Sequence, residues 1–488
     1  MTQHSSNTAY RAFRYSVIFC ILALPLAFGF TLAGLAARDG SAYGYFVTFS
    51  LFVAQDALVG PAMALVIFAA WRWGVRLHLP ETKPNAVIAI ALLAVVFSVA
   101  LRFLAHHNYP LSLDEFMPTF QAAIFRNGQL MAPLSDTALE LSKNLQPFFT
   151  YVDEERQVWI QHYRPIHAAI LSVFPAAYDQ AIAHAVLTGI TVIAIGNIGK
   201  QLFPERPGAP VLAALFLVTS PQVLLTSASG FAFTTHLAFN TVWLALFLRG
   251  AWRAHVCAAI IGFFALGIHQ VHVHAIYVFP FGIAMLLGYF GSRWKTLPYI
   301  VAYLVGVPVW SMWPEIATWL HTGDATALPS RLIEIEYLAN YLEFSGSVGV
   351  ADRRFSLWFL IVNIWRFLLW MSPAVVLLLA LAIMKRRQLG TVAIVCAIGF
   401  LFTVSMSHLM LPNQMHTIGS RYYHPALTNL VVVCLTTYYI FFENVRCRKT
   451  CLAALVAGLV IFLPWRAFQI HEKVGPRAEV QARLNALD

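Results

Sequence analysis

Charged residues are scarce in this chain of 488 residues: only 11% are charged, whereas 59% are hydrophobic and the mean hydropathy is +0.68. Soluble globular proteins carry about 25% charged and roughly 45–50% apolar residues. The scarcity of charge excludes an ordinary soluble enzyme, a disordered chain and a coiled coil. It predicts an all-α protein that crosses a membrane many times.

The sequence also lacks several patterns of cysteine and glycine, and each lack excludes a kind of site. The exported segments predicted below contain no cysteine, which excludes a disulfide framework there. The spacing of the six cysteines matches no structural zinc site. The sequence has no Walker or Rossmann glycine pattern and no repeat of fixed period. An ATP-driven pump is therefore disfavoured.

The net charge of +10 does not indicate a nucleic-acid partner, because the basic residues form short clusters between apolar runs. A spanning helix needs about 20 mostly apolar residues. We predict about thirteen spans, at 15–37, 45–71, 86–105, 180–200, 209–226, 237–250, 255–271, 275–291, 297–313, 356–383, 390–411, 424–442 and 451–467. With this count every basic cluster falls on one side, which predicts a cytoplasmic N-terminus and an outside C-terminus in a bacterial inner membrane.

The predicted spans suggest three regions. Residues 1–80 form an N-terminal transmembrane hairpin, 81–443 a central transmembrane module, and 444–488 a last span with an outside tail. Two long segments lie outside, at about 106–179 and 314–355. Apolar residues at helical spacing predict amphipathic helices within them, at 116–130 and 330–344.

An acidic pair, Asp114 and Glu115, opens the predicted helix in the first long outside segment. One interpretation is structural, because carboxylates stabilise a helix N-terminus. The other is catalytic: a carboxylate at the bilayer surface suits a general base that acts on a hydroxyl acceptor beside a lipid-borne donor.

This layout resembles the GT-C glycosyltransferases, such as the protein O-mannosyltransferases and the aminoarabinose transferase of lipid A. The resemblance is carried by the Asp-Glu pair after a membrane helix, by "HYRPIHAAILSVFPAAYD", and by "GSRYYHPAL" before a late span. It covers about residues 86–443. The first two helices, and Tyr163-Arg164-Pro165 in place of Pro-Pro-Leu-Tyr, depart from the family pattern.

The resemblance implies an inverting transfer of a sugar from a polyprenyl-phosphate donor on the outer face, with Asp114 as the general base and Glu115 as a further catalytic candidate. The acceptor is a glycan, a lipid or a protein. Arg421, Arg164 and Tyr422 would bind the donor phosphate, which a guanidinium recognises well. The alternative for Arg421 and Tyr422 is an interface anchor, since these residue types are enriched at membrane boundaries.

Several histidines are predicted to line the substrate cavity, because ionisable groups near membrane depth usually face one: His167, His269, His272, His274 and His424. Imidazole also suits zinc-like ions, so a divalent metal is a further hypothesis. No standard zinc spacing supports it, and no cofactor is otherwise predicted.

Two alternative functions use the same residues differently. A secondary transporter would employ Asp56, His269 and Arg421 along a substrate path, but the chain has no inverted repeat. An O-antigen-type polymerase or ligase would use arginines and histidines around an outside cavity and would not require the acidic pair.

Overall fold

The computed structural model describes residues 3–36, 55–73, 85–142, 149–324, 326, 356–411 and 419–486. Most of these residues are helical. The first helices are α1 Gln3–Ala36, α2 Val59–Trp73, α3 Ala86–Leu104, α4 Leu113–Arg126, α5 Asp136–Ser142, α6 Ile166–Ser172, α7 Asp179–Leu202, α8 Ala209–Val218, α9 Pro221–Ser227 and α10 Phe233–Phe247. The others are α11 Trp252–Leu266, α12 Val271–Leu286, α13 Leu297–Ser311, α14 Trp313–Thr322, α15 Ser356–Leu369, α16 Pro373–Met384, α17 Thr391–Met410, α18 Leu427–Ile440, α19 Val445–Ala457 and α20 Leu463–Asn485.

The helices identify a polytopic membrane protein. Five helices of the described residues are long and apolar enough to cross a bilayer, and two bent pairs raise this to seven. The predicted count of thirteen is therefore not confirmed. On α3 a row of large apolar side chains is exposed, as expected for a helix whose solvent is lipid: Ile88, Leu92, Val96, Phe97 and Leu104.

Prolines divide two of the predicted spans. The span predicted at 209–226 is bent by 67° between α8 and α9, where Pro221 occupies the first turn of α9. The span predicted at 356–383 consists of two helices, since Ser372 is extended and Pro373 begins α16. Proline lacks the N–H group that a continuous helix needs at this position. Each of these two predicted spans therefore consists of two helices.

The segment 106–179, which the sequence predicts to lie outside, contains more than helices. The predicted amphipathic helix at 116–130 is present as α4. It is followed by three short antiparallel strands, β1 Ala132–Pro133, β2 Thr150–Asp153 and β3 Val158–Gln161, in the order β1-β3-β2. Ala132 pairs with Trp159, and Thr150 pairs with Gln161. The all-α prediction missed this sheet. The helix predicted at 330–344 lies outside the described residues.

Helix α7 is the centre of the bundle and packs against α3, α8 and α10. Small residues on α7 permit this close approach. A Cβ atom added to Gly199 would lie 2.8 Å from the carbonyl oxygen of Ala209, and one added to Gly196 would lie 2.7 Å from a methyl group of Val87. Close contact between helix backbones is how membrane helices gain packing energy. The packing brings the start of α7 beside the outside segment.

A buried ion cluster joins the predicted N-terminal hairpin to the end of the chain. Asp56, just before α2, forms ion pairs with Arg466 of α20 at 2.7 Å and with Arg366 of α15 at 3.4 Å. All three side chains are almost completely buried. Arg466 also stacks on Trp370, with its guanidinium carbon 4.4 Å from the ring centroid. The predicted transporter role of Asp56 is therefore difficult to reconcile with its tight pairing.

Replacing Asp56 with Ala is expected to destabilise the protein strongly, because two buried guanidinium groups lose their carboxylate. Breaking a buried ion pair from one side typically costs about 3–5 kcal/mol. Thermal unfolding in detergent, followed by intrinsic fluorescence, would measure the decrease in Tm. The control is Glu479→Ala, which removes an exposed pair with Arg483 and should leave the Tm unchanged. An equal effect of both substitutions would contradict this assignment.

Candidate functional site

The site is built where the chain leaves α3 and enters α4. His107 and Asn108 adopt positive φ values of 53° and 50°, and this turn directs the chain toward α4. Asp114 lies in the first turn of α4, next to Ser112, whose side chain makes no capping bond. The carboxylate of Asp114 instead contacts two residues distant in sequence, so helix capping does not account for its placement.

Asp114 forms an ion pair with Arg421. The Nη1 group of Arg421 donates to Oδ2 of Asp114 at 2.7 Å, and the two residues are 307 positions apart in sequence. The Tyr163 hydroxyl donates a short hydrogen bond to Oδ1 of the same carboxylate. Arg421 also donates through Nη2 to the Tyr422 hydroxyl at 3.0 Å. Asp114, Tyr163, Arg421 and Tyr422 thus form one hydrogen-bonded group, which we call the Asp–Arg group.

Burial alone would raise the pKa of the Asp114 carboxyl. The nearby charges of Arg421 and His269 and the hydrogen bond from Tyr163 act in the opposite direction and prevail, so the pKa lies below its usual value. Asp114 is therefore ionised near neutral pH. Its side chain retains 20% exposure, which leaves it within reach of another molecule.

Glu115 points elsewhere. It is completely buried, and its two carboxylate oxygens accept from the backbone N–H groups of Leu111 and Gly230, both at 2.7 Å. Burial raises the pKa of Glu115 despite the opposing influence of Arg102 and these hydrogen bonds. Glu115 thereby fastens the start of α4 to the loop between α9 and α10.

A second polar network supports this attachment. Arg102, in the last turn of α3, donates through Nη2 to Gln180 at 2.8 Å and through Nε to Asn108 at 2.9 Å. Gln180, at the start of α7, donates to the carbonyl oxygen of Glu115 and to the Thr119 hydroxyl. The acidic pair is therefore held by α3, α7 and the α9–α10 loop together.

Aromatic rings surround the guanidinium of Arg421. Its central carbon lies 4.7 Å from the Phe231 ring centroid and 5.0 Å from that of Tyr422. A guanidinium on aromatic faces keeps its charge while its flat surfaces are shielded from water. Burial lowers the pKa of Arg421, but Tyr422 and Asp114 outweigh this effect and raise it, so the side chain stays cationic.

Arg164 lies close to the site, but its guanidinium already donates to backbone carbonyl groups. Its Nε donates to the Trp310 carbonyl at 2.7 Å, and its Nη1 and Nη2 groups donate to the carbonyls of His162 and Ser311. The end of α13 has orphan carbonyl groups that these donors satisfy. The arrangement joins the start of α6 to the end of α13.

The predicted histidines separate into two groups. His269 stacks on Tyr163 with ring centroids 4.0 Å apart and so touches the Asp–Arg group. His167 and His424 are buried nearby. His274 is bonded within the helical core to Asn240 at 2.7 Å and to Tyr303 at 3.2 Å. His272 lies within electrostatic reach of His269.

The described part of the chain holds no group of three or more His, Cys, Asp or Glu side chains positioned to bind a metal ion. The 269–274 histidines do not form such a group because His274 faces Asn240 and Tyr303, whereas His269 faces Tyr163. The hypothesis of a divalent metal thus gains no support from these residues.

Four residues at the site were not among the predicted site residues: Tyr163, Phe231, His184 and His236. His184 packs on His167 with ring centroids 5.2 Å apart. His184 and His236 belong to helices α7 and α10, and both are fully buried. A polar residue inside or beside an apolar run is a signal that could have identified them. Tyr163 gives no such signal, because tyrosine is common in any interface segment.

Comparisons with known proteins find similarity only among solved structures. No protein-family model matches the chain. No curated protein matches it either.

An oligosaccharyltransferase of Archaeoglobus fulgidus in complex with Zn and sulfate has a TM-score of 0.41 and 14% identity, over 78% of this chain and 53% of that one. The Archaeoglobus fulgidus oligosaccharyltransferase AglB with an inhibitory peptide and a dolichol-phosphate has a TM-score of 0.44 and 12% identity, over 79% and 56%. ArnT from Cupriavidus metallidurans bound to undecaprenyl phosphate has a TM-score of 0.38 and 14% identity, over 81% and 79%.

Two of these matched proteins are oligosaccharyltransferases, and the third is ArnT. The chain spans about half the length of the archaeal structures it matches. All of these TM-scores lie below 0.5, so the functional conclusions below rest on the geometry of the site.

Gly419→Ala is expected to lower the Tm and disturb Arg421. Gly419 has a φ of +60°, and an added Cβ would collide with the Gln222 side chain, whose carbonyl oxygen accepts from the Ser420 N–H. Gly128 is a matched control, because its φ is +70° but an added Cβ meets nothing within 4 Å. Gly128→Ala should cost only the backbone strain of about 1–2 kcal/mol. Thermal unfolding of both variants tests this, and equal decreases in Tm would contradict a steric role for Gly419.

Proposed function

We propose that this protein is a membrane glycosyltransferase that transfers a sugar from a polyprenyl-phosphate donor to a hydroxyl group of an acceptor. The observation that carries the proposal is the Asp114–Arg421 pair. It places an ionised carboxylate and a cationic guanidinium 2.7 Å apart, beside the end of the apolar helix α3. The reaction needs a base for the acceptor and a cation for the departing phosphate, and the pair offers both.

In the proposed reaction, Asp114 accepts the proton of the acceptor hydroxyl. The hydroxyl oxygen attacks the anomeric carbon of the donor sugar, and the bond between that carbon and the phosphate oxygen breaks. Polyprenyl phosphate leaves with the bonding electrons, and Arg421 stabilises the charge that develops on it. A single displacement of this kind inverts the anomeric configuration.

Arg421 has the geometry to serve Asp114 and the phosphate together. A guanidinium has five N–H groups, of which Nη1 donates to Asp114 and Nη2 to Tyr422. Further N–H groups remain for phosphate oxygens, as far as the described residues show. A bound phosphate would share the positive charge that now lowers the pKa of Asp114. Donor binding would therefore make Asp114 a stronger base at the moment it is needed.

Glu115 and Arg164 take positioning roles in this proposal. Both oxygens of Glu115 accept from backbone N–H groups, and the guanidinium of Arg164 donates to three carbonyls. Either residue would have to give up buried hydrogen bonds to contact a substrate, which is costly. The direct donor contacts are thus assigned to Arg421 and Tyr422, and the base to Asp114.

We place the site on the outer face of a bacterial inner membrane, with the N-terminus in the cytoplasm. The distribution of Lys and Arg between the apolar runs supports this orientation. The exposed Leu113 and Phe116 at the start of α4 suit an interface with lipid, since the carboxylate of Asp114 then lies at headgroup level. A lipid-borne donor would reach the site from the bilayer.

The base assignment predicts that Asp114→Asn lowers kcat by about 10²–10⁴ while donor binding persists. Purified protein in liposomes would be supplied with a panel of radiolabelled polyprenyl-phosphate sugars and a bacterial envelope extract as the acceptor source. Glu154→Gln is the control, because Glu154 is an exposed carboxylate of the same outside segment. A folded Asp114→Asn protein with full activity would rule out Asp114 as the base.

The same assay separates the alternatives. If the protein consumes no donor but binds undecaprenyl-diphosphate glycans, a polymerase or ligase is favoured. Binding of neither lipid would favour a transporter. A loss of transfer in EDTA that added metal restores would revive the metal hypothesis.

Tyr163→Phe is expected to shift the pH dependence of the reaction. The tyrosine hydroxyl helps to keep the pKa of Asp114 low, so its removal raises that pKa. The base acts only when ionised, and the acid limb of kcat/KM reports the free enzyme. That limb should therefore move to higher pH in the variant, with activity near pH 8 less affected than activity near pH 5. A limb that stays in place would show that Tyr163 does not tune the base.

A further inference from the structure

Five buried histidines come from five different parts of the fold, and one of them, His269, contacts the Asp–Arg group through Tyr163. We call them the imidazole cluster: His167, His184, His236, His269 and His424. Each is at most 7% exposed. His167 packs on His184 and pairs with Thr235, the residue before His236, and the segment 421–426 that contains His424 packs against α10. His269 connects the cluster to Tyr163 and Asp114.

All five members have a ring nitrogen without a hydrogen-bond partner among the described residues: both nitrogens of His236, both of His424, Nδ1 of His269, and Nε2 of His167 and of His184. The Nδ1 atoms of His167 and His184 are occupied, since they pair with the Thr235 hydroxyl at 2.9 Å and with the Ser229 carbonyl at 2.6 Å. Buried polar groups in native proteins nearly always have a partner. The unpartnered nitrogens therefore point to a ligand.

The two histidines with both nitrogens unpartnered belong to elements that pack against each other, α10 and the segment 421–426. Phe233 and Asn240 lie on the face of α10 that carries His236, at i−3 and i+4. The Phe233 ring centroid is 5.4 Å from that of Tyr422, and Asn240 donates to the Pro425 carbonyl at 2.9 Å. His236 thus lies between two contacts with the segment 422–425, which also contains His424. This segment begins at Tyr422, which is one of the phosphate-binding residues assigned above.

The chemistry of the cluster suits hydroxyl groups. Burial away from water disfavours the charged form of an imidazole, so these buried rings are expected to be neutral. A neutral imidazole has one N–H donor and one nitrogen acceptor. A sugar hydroxyl likewise donates once and accepts, so several neutral imidazoles match a ring of hydroxyls. The Phe233 ring, 6.0 Å from that of His269, adds an apolar surface for the C–H face of a sugar.

The charges nearby select against ionised sugars. Asp114 is paired with Arg421 and Tyr163, and Glu115 accepts from two backbone N–H groups. An ammonium group of a sugar would therefore have to displace an existing partner of either carboxylate. Arg102 likewise donates to Gln180 and Asn108, so a sugar carboxylate would have to displace one of these acceptors.

We infer that the imidazole cluster is the subsite for the sugar of the donor, and that this sugar is neutral and rich in hydroxyl groups, rather than an aminosugar or a uronic acid. The inference rests on the proposed function, because Arg421 supplies the phosphate end of the same donor. His236, His269 and His424 are the specificity-determining residues, and they contact sugar hydroxyls without taking part in bond breaking.

Binding of four probes to the full chain in nanodiscs tests the inference. The probes are polyprenyl phosphate alone and the same lipid carrying glucose or mannose, 4-amino-4-deoxyarabinose, or glucuronic acid. We expect the neutral-hexose lipid to bind about tenfold more tightly than bare polyprenyl phosphate, through several new hydrogen bonds. The amino and acidic sugars should bind no better than the bare lipid. Tightest binding of either ionised sugar would overturn the inference.

Substitutions separate the contribution of the sugar to donor binding from the contribution of the phosphate. His236→Leu and His424→Leu should abolish the gain from the neutral sugar and leave binding of the bare lipid unchanged, which also shows that the protein is folded. The Gln variants should retain part of the gain, because an amide both donates and accepts. His255→Leu is the control: this buried imidazole pairs with Tyr299 near the opposite end of α11 and should change neither value.

Arg421→Ala distinguishes the two proposals. This substitution should weaken the binding of all four probes by the same factor. If it leaves the bare lipid unaffected, the proposed phosphate site fails, whereas an unchanged sugar gain in both Leu variants refutes the sugar subsite alone.

Discussion

The ion pair between Asp114 and Arg421 is the contact on which the proposed site depends. Its partners belong to an early outside segment and to a turn that precedes a late helix. Each charge would be costly in these apolar surroundings without the other. Tyr163, Tyr422 and the ring of Phe231 complete the environment, so that both groups stay ionised. The pair therefore joins distant parts of the chain and keeps two reactive groups side by side.

Three carboxylates near or within the membrane region differ in their partners and in their exposure. Asp56 is enclosed by two arginines, and Glu115 is saturated by backbone N–H groups. Asp114 alone of the three keeps partial exposure, next to a cation that also has donors for a phosphate. Burial and hydrogen bonding thus decide which carboxylate is chemically available. The same reasoning separates Arg421, stacked among aromatic rings, from Arg164, which donates to carbonyls.

Sequence patterns identified several members of the site for physical reasons. Asp114 and Arg421 are charged residues next to apolar runs, where a charge usually has a function or a partner. Their meeting, 307 positions apart, followed from no local pattern. Glu115 and Arg164 look equally suited to catalysis in the sequence, yet their hydrogen bonds occupy them. His184 and His236 join the site only because α7 and α10 pack together beside the 422–425 segment.

Composition and hydropathy by themselves determined that this is a helical membrane protein with its polar groups concentrated at helix ends, because a bilayer admits few charges and demands long apolar helices. They also located α4, whose first turn contains the acidic pair. The tertiary structure alone decided the bends at Pro221 and Pro373, the small sheet, and the pairing of Asp114 with Arg421. Helix breaks, strand pairs and ion pairs depend on which distant segments become neighbours, and local sequence carries little of that information.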